Sequence, residues 1–111
     1  MLVSIEILVA QFSGLDRQDL ERWIFNEWVR PDGGAGSYLF REIDVARVRL
    51  IQELRDEMRI NEEALPVVLS LLDQLYDQRR RMRELSDALR QIAPDDVRQN
   101  LARHLADLAR A

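Results

Sequence analysis

The sequence contains no cysteine and no lysine, a single histidine and few aromatic residues. Without cysteine the chain has no disulfide, no thiol nucleophile and no cysteine-ligated zinc or iron–sulfur site, which fits a reducing compartment. It also lacks the run of about 20 apolar residues that a transmembrane helix needs. Residues 1–6 have neither the basic stretch nor the long apolar stretch of a signal peptide. We therefore expect a soluble, cytoplasmic protein.

What the chain does have is acidic charge and many apolar residues. It carries 20 Asp and Glu against 16 Arg, for a net charge of −4, so its average field repels nucleic acid. The hydrophobic fraction is 47% and the charged fraction 32%, a mixture typical of amphipathic helices. A length of 111 residues suits one compact domain. We expect an all-α fold with a minimal β wing.

Two short helices are predicted at the start of the chain. Ser4 can cap a helix that runs to about Phe12, and the Ser13-Gly14 pair ends it. Asp16 can then cap a second helix, which carries the apolar residues of its buried side together with three bulky aromatics. These aromatics cannot share one helical face, so at least one is expected on the surface. They are Trp23, Phe25 and Trp28. Two helices joined by a glycine turn form a helix-turn-helix candidate.

Pro31 stops the second helix and opens a glycine-rich loop over residues 32–37. The aromatic run 38–40 suits one strand of a small wing. Residues 41–59 then show helical periodicity and predict a third helix. Its predicted buried stripe consists of Ile43, Val48, Ile51, Leu54 or Arg55, and Met58.

A long fourth helix is predicted to open at Asn61, with Pro66 in its first turns. Its apolar residues recur at spacings of three and four, which indicates a heptad seam for pairing with another helix. The predicted dimer seam consists of Val68, Leu71, Leu75, Met82, Leu85, Leu89 and Ile92, with Gln78 as its polar member.

Pro94 ends the long helix, and Asp95 is predicted to cap a last amphipathic one. The apolar stripe of that helix consists of Val97, Leu101, Leu105 and Leu108. The helix either folds back on the seam of its own chain or covers the seam of a partner. The predicted segments are thus 1–60, 61–93 and 94–111, within one compact domain.

No pattern of catalytic, cofactor-binding or metal-binding residues is found. The lone histidine, His104, has no second histidine and no cysteine as a fellow metal ligand, and no serine lies in a nucleophile-elbow context. The glycine loop lacks the preceding strand and following Lys-Ser/Thr of a phosphate cradle. The basic run 79–83 has acids three or four residues away, which favours ion pairing over nucleic-acid binding. We expect neither an enzyme nor a cofactor.

The order of elements resembles the N-terminal half of the MerR family of winged helix-turn-helix regulators. The resemblance rests on Val9-Ala10, on residues 14–31, and on Phe40 and Asp44 at that family's spacing. The DNA-contacting residues of the family are missing. In that family the second helix has an Arg followed by Tyr-Tyr-Glu. This chain has Glu-Arg-Trp-Ile at the corresponding residues 21–24. The Glu21 carboxylate therefore stands where the family has a phosphate-contacting Arg, and it repels a duplex.

A closer resemblance is to the chaperone modulatory protein CbpM family. It covers residues 3–92 and is carried by the wing strand 38–40, the helix 44–54, the run 67–73 and the Arg/Glu/Leu-rich helix after it. The resemblance implies binding to the J-domain of a CbpA/DnaJ-like co-chaperone, which keeps it from stimulating Hsp70, without catalysis. Residues 94–111 lie outside the pattern.

J-domains present a basic helix, for which an acidic helical protein is a plausible competitor. The candidate partner-binding acids are Glu21, Asp56, Glu57, Glu62, Glu63 and Asp73. A homodimer through the long helix is expected. The alternative is a MerR-like transcriptional regulator that uses Arg17, Arg22, Arg41 and the wing on DNA. A plain structural subunit is a third interpretation.

Overall fold

The computed structural model describes residues 2–110; Met1 and Ala111, the outer ends of the predicted segments, lie outside that range. Helices account for 68% of the described residues, and there is in addition a small two-stranded antiparallel sheet, which confirms a mainly helical fold with minimal β structure. The elements in chain order are β1 (Val3–Ser4), α1 (Ile5–Gln11), α2 (Arg17–Phe25), β2 (Leu39–Phe40), α3 (Glu42–Asp56), α4 (Leu65–Ile92) and α5 (Asp95–Ala109).

The chain divides into two compact units, residues 1–70 and 71–111. The boundary lies inside α4, because Leu65 and Leu69 at the start of that helix are buried in the first unit. The first turns of the long helix therefore belong to the N-terminal core. Among residues 2–110 no helix combines the length and the apolar character needed to cross a membrane.

Side-chain caps begin the first two helices as predicted. The Ser4 hydroxyl accepts a hydrogen bond from the Ile7 amide at 3.4 Å. Asp16 accepts from the Asp19 amide at 2.8 Å, and Asp19 accepts in return from the Asp16 amide, which completes a capping box. The turn between the helices contains Gly14 at φ +79°. The helix–turn–helix arrangement of α1 and α2 follows from these local signals.

Helix α2 ends earlier than its apolar pattern suggests. Glu27 adopts φ +61°, its amide donates to the Ile24 carbonyl, and the Trp28 amide donates to the Trp23 carbonyl. This is the Schellman arrangement that ends helices, here with a glutamate in the left-handed conformation that glycine usually occupies. The turn directs Trp28 and Val29 into the core, where they are buried.

The wing consists of β2 paired with β1, with Val3 opposite Phe40 and Ser4 opposite Leu39. Asp32 forms a further antiparallel bridge to Leu39. A strand is confirmed within the predicted run 38–40, whereas its partner strand at Val3 was not predicted.

The core of the first unit is built from one face of each N-terminal helix. The fully buried side chains are Leu8, Leu20, Trp23, Val29, Phe40, Val48, Ile51 and Leu65. Two predicted members of the α3 stripe were wrong: Ile43 is 71% exposed and Met58 is 66% exposed. Ile43 lies in the first turn, where Asp44 is buried instead, and Met58 lies beyond the end of the helix at Asp56.

The second unit consists of α4 beyond Ser70 and of α5. Asn61 accepts a hydrogen bond from the Ala64 amide at 2.9 Å and caps a turn before α4, which begins at Leu65 rather than directly after Asn61. Asp95 was wrongly predicted as the cap of α5. Pro94 occupies that position, since its backbone is extended while Asp95 is the first helical residue.

Candidate protein-interaction surfaces

Helix α2 turns one polar face and one aromatic side chain toward solvent. Leu20 and Trp23 are buried, while the exposed residues Gln18, Glu21 and Phe25 lie at spacings of three and four. Phe25 is 85% exposed, the highest value among the large apolar side chains described. This confirms that the three aromatics do not share a face: Phe25 lies outside, and Trp23 and Trp28 lie inside.

The two arginines of α2 are held by carboxylates. Arg17 bonds Glu6 and Glu21, each at 3.1 Å. Arg22 bonds Asp19 at 2.8 Å and binds both carboxylate oxygens of Glu62, one of them at 2.7 Å. The hydrogen bonds that Arg17 donates to Glu21 and Glu6 raise its pKa, and those that Arg22 donates to Glu62 and Asp19 raise the pKa of Arg22. The positive charge of this helix is therefore compensated locally.

The wing arginine is also paired. Arg41 contacts Asp44 at 3.2 Å and Asp32 at 3.9 Å. The Arg41 amide donates to the Asp44 carboxylate at 2.9 Å, so the buried Asp44 fixes the start of α3. All three arginines that would face DNA in a MerR-like arrangement thus have carboxylate partners.

The six predicted partner-binding acids do not form one cluster. Glu62 and Glu63 lie together at the end of α2, where they line a shallow pocket with Asn26, Trp28 and Pro66. Asp56 and Glu57 line another shallow pocket, at the end of α3 beside the α1–α2 turn. The remaining two are placed separately: Glu21 lies on the outer face of α2, and Asp73 is exposed on α4 in the second unit.

Arg55 is an ionic link that the sequence pattern did not reveal. Its guanidinium contacts Asp19 at 2.9 Å and Asp56 at 2.8 Å, donates to the Gly14 carbonyl at 3.3 Å, and lies 5.2 Å above the centre of the Trp23 ring. Burial acts to raise the pKa of Asp19, but hydrogen bonds from Arg55 and Arg22 outweigh it and leave that pKa below its usual value. The sequence left open whether Leu54 or Arg55 belongs to the buried apolar stripe of α3, and the structure places Leu54 in that stripe.

Charge is distributed unequally between the two units. Residues 1–70 contain 13 Asp and Glu against 8 Arg, which gives −5, whereas residues 71–111 contain 7 against 8, which gives +1. The basic run on α4 has local partners, as predicted: Arg80 and Arg81 both contact Asp77, the latter at 3.1 Å. The negative charge of the protein therefore belongs to the unit that carries the exposed Phe25.

The predicted dimer seam lies largely exposed along α4. Val68 and Leu89 are half-buried. The other members are more open: Leu71 60%, Leu75 45%, Met82 65%, Leu85 56% and Ile92 82%. Such a row of apolar side chains on one helix is available for contact with another helix.

His104 is exposed on α5. Within residues 2–110 no three potential metal-ligating side chains come together. Comparison of the chain with protein-family models, with curated proteins and with solved structures found no match.

Proposed function

We propose that this chain is a non-catalytic protein-binding module with a MerR-like winged helix-turn-helix frame, similar to the CbpM family. It binds the J-domain of a CbpA/DnaJ-like co-chaperone and inhibits it in the cytoplasm. The frame corresponds to α1, the turn at Gly14, α2 and the wing formed by β1 and β2. The long helix pairs two copies into a homodimer.

The observation that carries the proposal is the state of α2, which would be the DNA-reading helix in a regulator of this kind. Its outer face offers the exposed Phe25 ring, while both of its arginines are engaged in ion pairs, Arg17 with Glu21 among them. Phosphate binding would require these pairs to break. An exposed aromatic beside acids is instead suited to a protein partner with an apolar and basic surface.

Charge complementarity supports a basic partner. The first unit has a net charge of −5, and a basic helix such as the one that J-domains present is attracted to it. Glu62 and Glu63 line a shallow pocket together with Asn26, the residue that follows Phe25 at the end of α2. Opposite charges of this kind speed association, and salt weakens the attraction.

The test is a calorimetric titration of the full chain with the J-domain of the CbpA-like protein from the same organism, at about 20 and about 300 mM salt. We expect a complex whose dissociation constant rises with salt. A gel-shift assay with the promoter DNA of the chain's own gene runs in parallel, with competitor DNA present. Absence of J-domain binding at low salt overturns the proposal, and a specific DNA complex that survives competitor would replace it.

A further inference from the structure

In the described part of the second unit, residues 71–110, the two helices have no buried core. None of the described residues from 71 to 110 is buried. Helices of this length gain most of their stability in proteins from packing an apolar face, and neither α4 beyond Ser70 nor α5 buries such a face. The unit therefore requires a covering surface.

Helix α5 carries a continuous apolar stripe that needs such a covering surface. Its members are Val97 at 47%, Leu101 at 37%, Leu105 at 55% and Leu108 at 58% exposed. The helices α4 and α5 do not pack along their lengths, and α5 is tied to α4 at their junction, where Arg98 donates to the Arg90 carbonyl at 3.2 Å. The stripe of α5 is thus not covered by the helix that precedes it.

The exposed apolar area matches what a stable dimer buries. Five seam residues of α4 and the four stripe residues of α5 are each 37–82% exposed. With on the order of 120 Å² for a Leu-sized side chain, they offer roughly 600 Å² of apolar surface per chain. A standard interface buries about 800 Å² per partner, of which about 65% is apolar in homodimers. The seam of α4 alone offers only about 370 Å² by the same measure.

Charge opposes pairing of two copies less at the second unit than at the first. Residues 71–111 have a net charge of +1, so two copies of this unit repel each other weakly, whereas two copies of the first unit at −5 repel strongly. A basic partner is attracted to the first unit and not to the second. The near-neutral apolar surface is therefore the one suited to self-association.

We infer that α5 forms the second layer of the dimer interface: the α4 seam and the α5 stripe of one chain pack with those of a second copy as a four-helix bundle. The inference rests on the proposed pairing of α4 and adds the helix that lies outside the CbpM-like pattern. It predicts that α4 without the α5 stripe cannot hold the dimer at micromolar concentration.

The experiment measures the dimer dissociation constant of the full chain by sedimentation equilibrium. The double variant Leu101→Glu/Leu105→Glu places two carboxylates in the α5 stripe. A matched control, Gln99→Glu/Ala106→Glu, places two on the opposite face of the same helix. A third variant, Leu101→Ala/Leu105→Ala, retains helix-forming residues. Emission from Trp23 and Trp28, both buried in the first unit, verifies that this unit remains folded in each variant.

We expect a micromolar or tighter dimer, an increase of at least tenfold in the dissociation constant for both Leu101/Leu105 variants, and no change beyond twofold for the control. A dimer unaffected by the Leu101/Leu105 variants overturns the role of α5 and leaves the α4 seam. A monomeric wild-type chain overturns both. J-domain titration of the same variants separates these outcomes from the proposed function, since binding at the first unit should persist in all of them.

Discussion

Removing the guanidinium of Arg55 should destabilise the first unit severely. The side chain is 19% exposed and its partner Asp19 is 14% exposed, so their 2.9 Å contact is largely shielded from water. A charge-assisted hydrogen bond of this type contributes about 1.5–3 kcal/mol, and the contact with the Trp23 ring about 0.5–1 kcal/mol. Asp56 is 45% exposed, and that pair adds little. Since Asp19 retains Arg22, we expect Arg55→Ala to lower the free energy of unfolding by about 2–3 kcal/mol.

Urea denaturation monitored by tryptophan emission measures this loss, because both indoles lie in the first unit. Arg55→Lys keeps the positive charge but lacks the planar guanidinium, so its free energy of unfolding should lie between those of the wild type and Arg55→Ala. Arg30→Ala, at an exposed arginine, serves as the control and should change stability by less than about 0.5 kcal/mol. If Arg55→Ala resembles that control, the ionic link does not stabilise the fold.

The same link predicts the response to acid. The pKa of Asp19 is lowered in the folded protein, so the unfolded chain binds its proton more readily. The stabilisation is complete above the ordinary value of 3.8 and is lost as pH falls through the lowered pKa. Wild type should therefore lose more stability than Asp19→Asn between about pH 5 and pH 2. Equal losses in the two proteins would refute the assignment.

Three further outcomes are expected. Glu27→Gly removes the steric strain of a glutamate in the left-handed conformation and should raise the free energy of unfolding, measured in urea, by about 0.5–1 kcal/mol. A decrease would show that the backbone at Glu27 is not strained. Phe25→Ser should weaken J-domain binding at least about tenfold in calorimetry without loss of stability, whereas Ile43→Ser, at another exposed apolar residue, should not. Leu85→Glu/Leu89→Glu should yield monomers in sedimentation, and persistence of a dimer would refute the seam.

Local signals predicted most of the helices. Ser4, Asp16 and the Pro94 break mark boundaries that the structure reproduces to within a residue or two, because capping depends on neighbours in sequence. The end of α2 was less predictable, since the left-handed position is occupied by Glu27 and carries no glycine signal.

The periodicity of the sequence did not predict features that depend on contacts between distant parts of the chain. Ile43 fits the α3 stripe by spacing, yet the side chain of Asp44 takes the buried place through its bond to the Arg41 amide. The pair between Arg22 and Glu62 joins residues 40 positions apart, and only the fold brings them together. The acids could be named from composition and spacing, but only the fold places four of them in two separate pockets.

The location of the unit boundary inside α4 affects how the chain can be cleaved. Proteases cut exposed, flexible connections, and a continuous hydrogen-bonded helix from Leu65 to Ile92 offers none between the two units. Limited digestion should instead nick the glycine-rich stretch between Asp32 and Ser37, or the turn at Pro94, before it separates the units at residue 70. A fragment consisting of the first unit alone must therefore be made by expression, and it would end in a truncated helix.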